Sequence, residues 1–541
     1  MLGGKGAGNV LFCAGILFSG AQVATTFRVL ESLNIAMITE RMYYYYQSGY
    51  LLPVVKQVYE RRNSELLEEL RGKNLDLAGD GRCDSPGFSA KYCTYTFHEA
   101  STKKLIHIEQ VQVRETAEVP SSNAMEKVAF LRGLAKLKDQ GFTIASFMSD
   151  RHPGVQCHMR TMESGTKHYF DTWHISKGVK KKLLAASRSG PCKDLEVWVQ
   201  PVNNHLYHCA ALGEGNGPLM VSMWMSLLNH VVNKHDGHDG PYHECLHQPL
   251  SDRAWLAVGE LTILFIVHHS RAAILMWWGE GRENGHALMM SHSCICTLQN
   301  TVSTNMASAL FHVFLKQGIE KRSVLLPNLE PLMSSFRCTI SSYENLSGLR
   351  KAGNNLFGLT LSRSLHFSGT PAYEKLRSIV ASPRLLKDIQ HLSPGTQTYY
   401  VEAFNSLLLG FASKSRVFSP EGMEARTLVA VLHFNENVGR EQATTREGEL
   451  CFKIATPRSR KGHSTARPKP ADATFQYRDE LLDELMVCLG KWPTLKEAVA
   501  ANPPDHPPPM CASYPRPPKS ELIVARRTRF ASHAGSSQKL I

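Results

Sequence analysis

Between residues 73 and 185 the apolar pattern switches between a period of two and a helical period in a fixed order. Leu75-Asp76-Leu77-Ala78-Gly79 leads to Asp80 and predicts a first strand ending there. Lys91 to His98 is β-branched and aromatic with rough alternation, a polar turn follows, and Leu105 to Val113 alternates well. These read as two further antiparallel strands. Ser121-Ser122-Asn123-Ala124-Met125-Glu126 carries a capping signature and starts a helix that runs to about Gln140, stopped by Gly141. A strand from Phe142 leads to Asp150, a short helix follows, and His168 to Asp171 forms the last strand. This alternation demands an α/β unit, a sheet covered by helices.

Three acids stand out against that frame. Asp80 and Asp150 end separate strands, and Glu402 lies in the helix-like stretch Tyr399 to Leu409. Two carboxylates at strand ends and a third on a later helix can hold two divalent cations, Mg²⁺ or Mn²⁺, which activate water and stabilise a leaving oxygen. Each acid has a plainer reading. Asp80 could form the turn before Gly81, with Asp84 in the same loop as its rival. Asp150 could cap the next helix, and Glu402 could be a solvated helix residue. Asn405, one turn after Glu402, shares its face.

The remaining chain divides unevenly. Residues 1–72 read as a helical region, and the apolar run Val10 to Ala24 as a buried helix too short and polar to span a membrane. Residues 186–255 are mainly helical and rich in His and Cys. Residues 256–368 differ in texture and read as an atypical insertion, either foreign sequence or a genuine domain. Helical pattern resumes over 369–490, and 491–541 is a basic, Pro-rich tail expected to be disordered. Lys and Arg total 61 against 48 Asp and Glu, a surplus of +13 that would suit a phosphate-rich partner. Thirteen scattered cysteines fit a reducing compartment better than a disulfide framework.

With these elements in place, the chain resembles the transposase superfamily of Mutator, hAT and P elements, and within it the transposase-derived proteins of animal genomes. The resemblance rests on five motifs in order: Gly79 to Gly87, Ser121 to Glu126, Ser149 to His152, Phe170 to His174 and Glu402 to Leu408. It implies a ribonuclease-H-like catalytic domain (73–185 and 369–490) interrupted by a mainly helical insertion, with Asp80, Asp150 and Glu402 as the catalytic and metal-binding triad. Asp171 and His174 match the superfamily's Asp-x-x-His signature and are expected beside the site. Arg151, Lys177, Lys180, Lys181 and Lys182 are expected to meet nucleic acid, their alternative being a solvated face.

His205 and Cys209 share a helix face, and with His243 and Cys245 they form a possible zinc set, though packing of a His/Cys core explains them better. The resemblance further implies a nuclear protein acting on DNA without a membrane, with assembly into a homo-oligomer left open. It leaves two functions open: metal-dependent DNA cleavage or strand transfer, or a catalytically decayed or domesticated transposase that only binds DNA or protein. An ordinary exonuclease shares the fold but would be expected to hold its last acid much closer to the second.

Overall fold

The computed structural model describes residues 6–85, 89–248, 250, 255–256, 259–268, 271–279, 285–289, 359–367, 370–395, 398–457, 462–503, 506–508, 512 and 515–526. The chain forms two compact units. One comprises Met1–Ile175, Ala210–Gly215 and His391–Ile541, the other Ser176–Cys209 and Asn216–Gln390.

The first unit is built on a mixed five-stranded sheet. Its strands are β1 (Asn74–Cys83), β2 (Tyr92–Glu99), β3 (Leu105–Gln112), β4 (Thr143–Ser149) and β5 (Lys167–Phe170), in the order β3-β2-β1-β4-β5. β1 to β3 form an antiparallel meander, while β4 runs parallel to β1 and β5 parallel to β4. The α/β expectation and its succession of elements stand in this coarse form. β1 runs on past Asp80, which pairs with Thr96 of β2; on the β4 side the pairing stops at Ala78.

Every residue of β2 is buried, as a strand rich in aromatic and β-branched residues allows when both faces are covered. Cys93, Tyr95 and Phe97 project into a core shared with Phe130 and Leu134 of a helix at Ser122–Asp139. The other core joins Tyr92 and Leu105 to helices at Ala7–Ser19, Leu52–Glu69, Tyr399–Phe411, Pro420–Asn437 and Gln476–Lys491. Numbered in chain order, the helices up to the first of these faces are α1 (Ala7–Ser19), α2 (Val23–Ser32), α3 (Glu40–Tyr46), α4 (Leu52–Glu69) and α5 (Ser122–Asp139). After β4 come α6 (Pro153–Met162), α7 (Thr172–Ser187), α8 (Val199–Gly213) and α9 (Gly217–His230). α10 (Pro371–Val380), α11 (Pro383–Ile389), α12 (Tyr399–Phe411), α13 (Pro420–Asn437), α14 (Gln476–Lys491), α15 (Leu495–Ala501) and α16 (Lys519–Val524) complete the set.

The apolar run near the start is indeed a buried helix: α1 places Cys13, Ala14 and Leu17 in the core. Among the described residues no helix is long and apolar enough to cross a membrane. Order extends past residue 491, where the sequence suggests a structureless tail. Thr494 and Glu497 form a reciprocal capping box at the start of α15, and Ala498 is fully buried. Farther on, α16 buries none of its residues. Cysteines among the described residues are free thiols.

In the second unit, the indole N–H of Trp224 on α9 donates to the Val380 carbonyl on α10 at 3.0 Å. Four strands, β6 (Gly259–His268), β7 (Arg271–Gly279), β8 (Gly285–Met289) and β9 (Leu359–Phe367), make an antiparallel sheet in the order β8-β7-β6-β9. Most of 256–368 lies outside the described residues, and with it the question of a foreign segment.

Candidate functional site

The register between β1 and β4 decides where two acids go. Ala78 and Met148 are the last paired residues. Asp80 and Asp150 each lie two positions further, so alternation of side chains puts both on the face of Ala78 and Met148. That match depends on a bulge. Leu75 pairs with Ile144 but Asp76 pairs with Ser146, so Ala145 is an extra residue in β4. Were Ala145 instead paired with Asp76, Asp80 would align with Ser149, and Asp150 would turn to the opposite face.

Ala78 and Met148 pack on Val401 of α12. This contact seats α12 so that Glu402 and Asn405 reach the strand ends. The Asn405 side-chain amide donates to Asp80 Oδ2 at 2.9 Å. Burial and the charges of Asp150 and Glu402 push the Asp80 carboxyl up to about 6, opposed by His174 and the Gly81 amide. The three predicted acids therefore share one electrostatic environment.

Asp150 has two duties. Its Oδ1 accepts the His152 amide at 2.8 Å in the turn before α6, whose N-cap is His152. The carboxylate thus braces the turn without itself being the cap, while its charge raises Asp80.

Asp171 follows β5 directly and is 2% exposed. It accepts the Trp173 amide at 2.8 Å and the Thr398 hydroxyl, and lies 3.3 Å from His174 Nδ1. Burial alone would raise its carboxyl, but the bonds from His174, Thr398 and the Trp173 amide outweigh burial and hold it below the usual value. The Asp171 bond in turn raises the His174 imidazole against the effect of burial, with Glu402 and Asp150 adding to the rise. His174 Nε2 is 3.9 Å from Glu402 Oε1. Asp171, His174 and Glu402 offer ligand atoms within 4.8 Å of one another, a set able to hold a metal ion. Asp80 and Asp150 stand beside that set rather than in it.

Asp84, the rival to Asp80, closes the loop into β2. Its Oδ1 accepts the amides of Lys91 and Tyr92 at 2.9 and 3.3 Å. Arg151 follows Asp150 and is half-buried; on α7, Lys177, Lys181 and Lys182 are exposed, and Lys180 donates to Gln200 at 3.2 Å.

The sequence reading overlooked a fourth acid. Glu126, in the second turn of α5, faces Gly81, whose missing Cβ would sit 2.5 Å from Glu126 Cγ. Burial, then Asp150 and Asp80, push its carboxyl up to about 8. The segment Ser121 to Glu126 looks like a cap, yet the Ser121 side chain makes no capping bond. The available signal was a glycine on the adjoining strand, which only pairing in three dimensions turns into a contact.

The possible zinc set is not gathered as expected. His205 Nε2 donates to the Met223 carbonyl at 2.8 Å, and Cys209 Sγ lies 3.5 Å from the same nitrogen. His243 contributes its carbonyl to the His238 amide, while Cys245 belongs to a different group with His230, His235 and His247. Helical spacing identified His205 and Cys209 as neighbours, but both are consumed by the packed core.

Comparison with family models, with curated proteins and with solved structures returns no match.

Proposed function

We propose that the acid cluster of the first unit cleaves phosphodiesters with divalent metal, on a ribonuclease-H-like domain of a transposase-like protein. The observation that carries this reading is the in-register placement of Asp80 and Asp150 just past the last parallel pair of β1 and β4, with Glu402 brought to the same face. The strand order, with its antiparallel meander followed by two parallel strands, supports it.

The residues present suit such ions. Carboxylates are joined by Asn405 Oδ1, which is buried and lacks a hydrogen-bond partner. An all-oxygen set of this kind, flanked by one imidazole, matches Mg²⁺ or Mn²⁺. When bound, the ions supply an activated water and charge neutralisation at the leaving oxygen. Asp80, Asp150 and Glu402 would hold them. Asn405 fixes the orientation of Asp80 through its amide. Asp171 holds His174 by Nδ1 and leaves Nε2 turned to Glu402, so the histidine orients that carboxylate. DNA is the partner this reading requires, with the exposed lysines of α7 as phosphate contacts, and a nuclear location goes with it.

The test is nicking of supercoiled DNA by the purified full chain in Mg²⁺ or Mn²⁺, beside Asp150→Asn. Metal-dependent nicking that vanishes in the variant supports a live site. Salt-sensitive DNA binding without nicking supports the decayed or recruited binding protein instead. Nicking that persists in the variant rejects the assignment of Asp150.

A further inference from the structure

In the second unit, the described residues from 231 to 256 form neither helix nor strand. Loops of that length inside a compact unit are uncommon and are usually functional or tied down. Here the backbone is pinned at three points: Cys245 N to His235 O at 2.8 Å, His238 N to His243 O at 3.0 Å, and Leu256 N to Val231 O at 2.8 Å. The folds thus made bring His230, His235, Cys245 and His247 together, with ligand atoms all within 4.8 Å of one another.

We propose that these four residues bind a structural zinc ion through His230 Nδ1, His235 Nδ1, Cys245 Sγ and His247 Nε2. Two of the six distances between these atoms have the length of a tetrahedron's edge. Bonds of about 2.0–2.1 Å to nitrogen and about 2.3 Å to sulfur give N···N edges near ~3.4 Å and N···S edges near ~3.6 Å. His247 Nε2 lies 3.4 Å from His230 Nδ1, and Cys245 Sγ lies 3.6 Å from the same atom.

Hydrogen bonds on the far sides of the rings set the tautomers this requires. His247 Nδ1 donates to the Gln248 carbonyl at 2.8 Å, which frees Nε2 as a lone pair. His235 Nε2 donates to Asn233 Oδ1 at 3.0 Å, which frees Nδ1. That Nδ1 is buried and has no hydrogen-bond partner. A ligating histidine characteristically gives its other N–H to an oxygen in this way. The sulfur is served as well. The Asn229 amide donates to His238 Nδ1 at 3.1 Å, which leaves the His238 Nε2–H for Cys245 Sγ at 3.3 Å. Such a bond stabilises a thiolate. Trp255 lies against the rings of His230 and His235, with centroids 5.7 and 5.3 Å away, and shields the centre.

Three imidazoles and one thiolate are a zinc set, and four protein ligands leave no open position for substrate. The ion's work is to hold this loop closed. The site is independent of the acid cluster and of the reaction proposed there.

The test measures metal content of the full chain, made with Zn²⁺ in the medium and passed over a chelating resin, beside Cys245→Ser, His235→Asn and the control Cys209→Ser. A single retained zinc in the parent and control, lost from the two ligand variants, is the expected result. Asn233→Gly, which removes the outer hydrogen bond at a position whose φ of 63° glycine adopts without strain, should retain zinc about 10- to 100-fold more weakly. No retained zinc in the parent, or equal zinc in parent and both ligand variants, overturns the proposal. A ligand variant can fail to fold, so the parent is also loaded with Co²⁺. A cobalt–thiolate charge-transfer band with four-coordinate intensity supports the site; a cobalt spectrum without thiolate rejects it.

Discussion

Two glycines on β1 face the same side of the sheet and should respond oppositely to alanine. A Cβ at Gly79 would meet Tyr95 Cε1 at 2.7 Å and Phe147 Cζ at 2.8 Å. Both rings are essentially fully buried, at 1% and 0% exposure, and have nowhere to go. Overpacking of this kind costs about 3 kcal/mol at the upper end of its range. Removing a strand glycine returns about 0.5–1 kcal/mol of backbone entropy. The net loss for Gly79→Ala is therefore about 2 kcal/mol, or about 30-fold in an opening equilibrium. At Gly81 the obstacle is the Glu126 side chain, with Cγ at 2.5 Å and Cδ at 2.8 Å. That chain is half-buried and can change rotamer, at about 0.5–1.5 kcal/mol. Gly81→Ala should thus be near neutral in stability while moving Glu126 away from Asp80 and Asp150. Hydrogen exchange of peptides covering residues 74–83 reads both effects. Equal acceleration in the two variants, or none in Gly79→Ala, would refute the reasoning.

Arg426 is 1% exposed and donates to the carbonyls of Phe411, Ala21 and Gly20 at 2.9, 3.1 and 3.3 Å, at the last residue of α12 and just beyond the end of α1. Arg426→Met leaves those carbonyls without a donor and should lower the first unit's stability by about 2–4 kcal/mol, read from urea unfolding; a variant as stable as the parent contradicts that role. Arg62 bonds Glu436 at 3.0 Å and Glu480 at 2.6 Å, and Glu436 also accepts the amides of Gln476 and Tyr477 at 2.8 and 2.9 Å. Burial would raise Glu436, but the bonds from Thr474, the Tyr477 amide, Arg62 and the Gln476 amide outweigh it; Glu480 is lowered chiefly by Arg62. Both carboxyls thus sit below their ordinary 4.5 when folded. The network's stabilisation is present above that value and is lost as the pH falls through it and below. Acid unfolding monitored by circular dichroism should accordingly show a shallower acid limb in Arg62→Met; superimposable limbs exclude the network as a cause.

Much of the strand order was legible because each strand carried its own local evidence. The alternation in Leu105 to Val113 and the aromatic run of β2 survive without knowledge of any partner. Site residues were readable where they stood at the end of such a run, as Asp80, Asp150 and Asp171 do. Glu126 was hidden because its partner is a glycine, whose role is to have no side chain. The cluster around Cys245 was hidden for a different reason. His230 ends α9, but His235, Cys245 and His247 come from an irregular loop, where no period relates position in the chain to position in space. Helical spacing favoured His205 and Cys209 instead, and the protein uses them to fill its interior. The helix α15 was obscured by the proline-rich composition that follows it, although Thr494 and Glu497 carry a recognisable capping box.

The extra residue in β4 has a consequence for anyone judging whether a gene of this kind is intact. Ala145 is small, chemically inert and remote from the acids in its own right. Its loss would merely remove the bulge, Ser146 following Ile144 directly and still meeting Asp76, whereas one codon gained in frame between Ser146 and Asp150 would leave every acid in the gene and rotate Asp150 to the wrong side of the sheet. An inventory of acidic motifs would score such a gene as whole. Integrity here is a matter of counting the residues between Ser146 and Asp150, and an odd gain in that count is as damaging as removal of the aspartate itself.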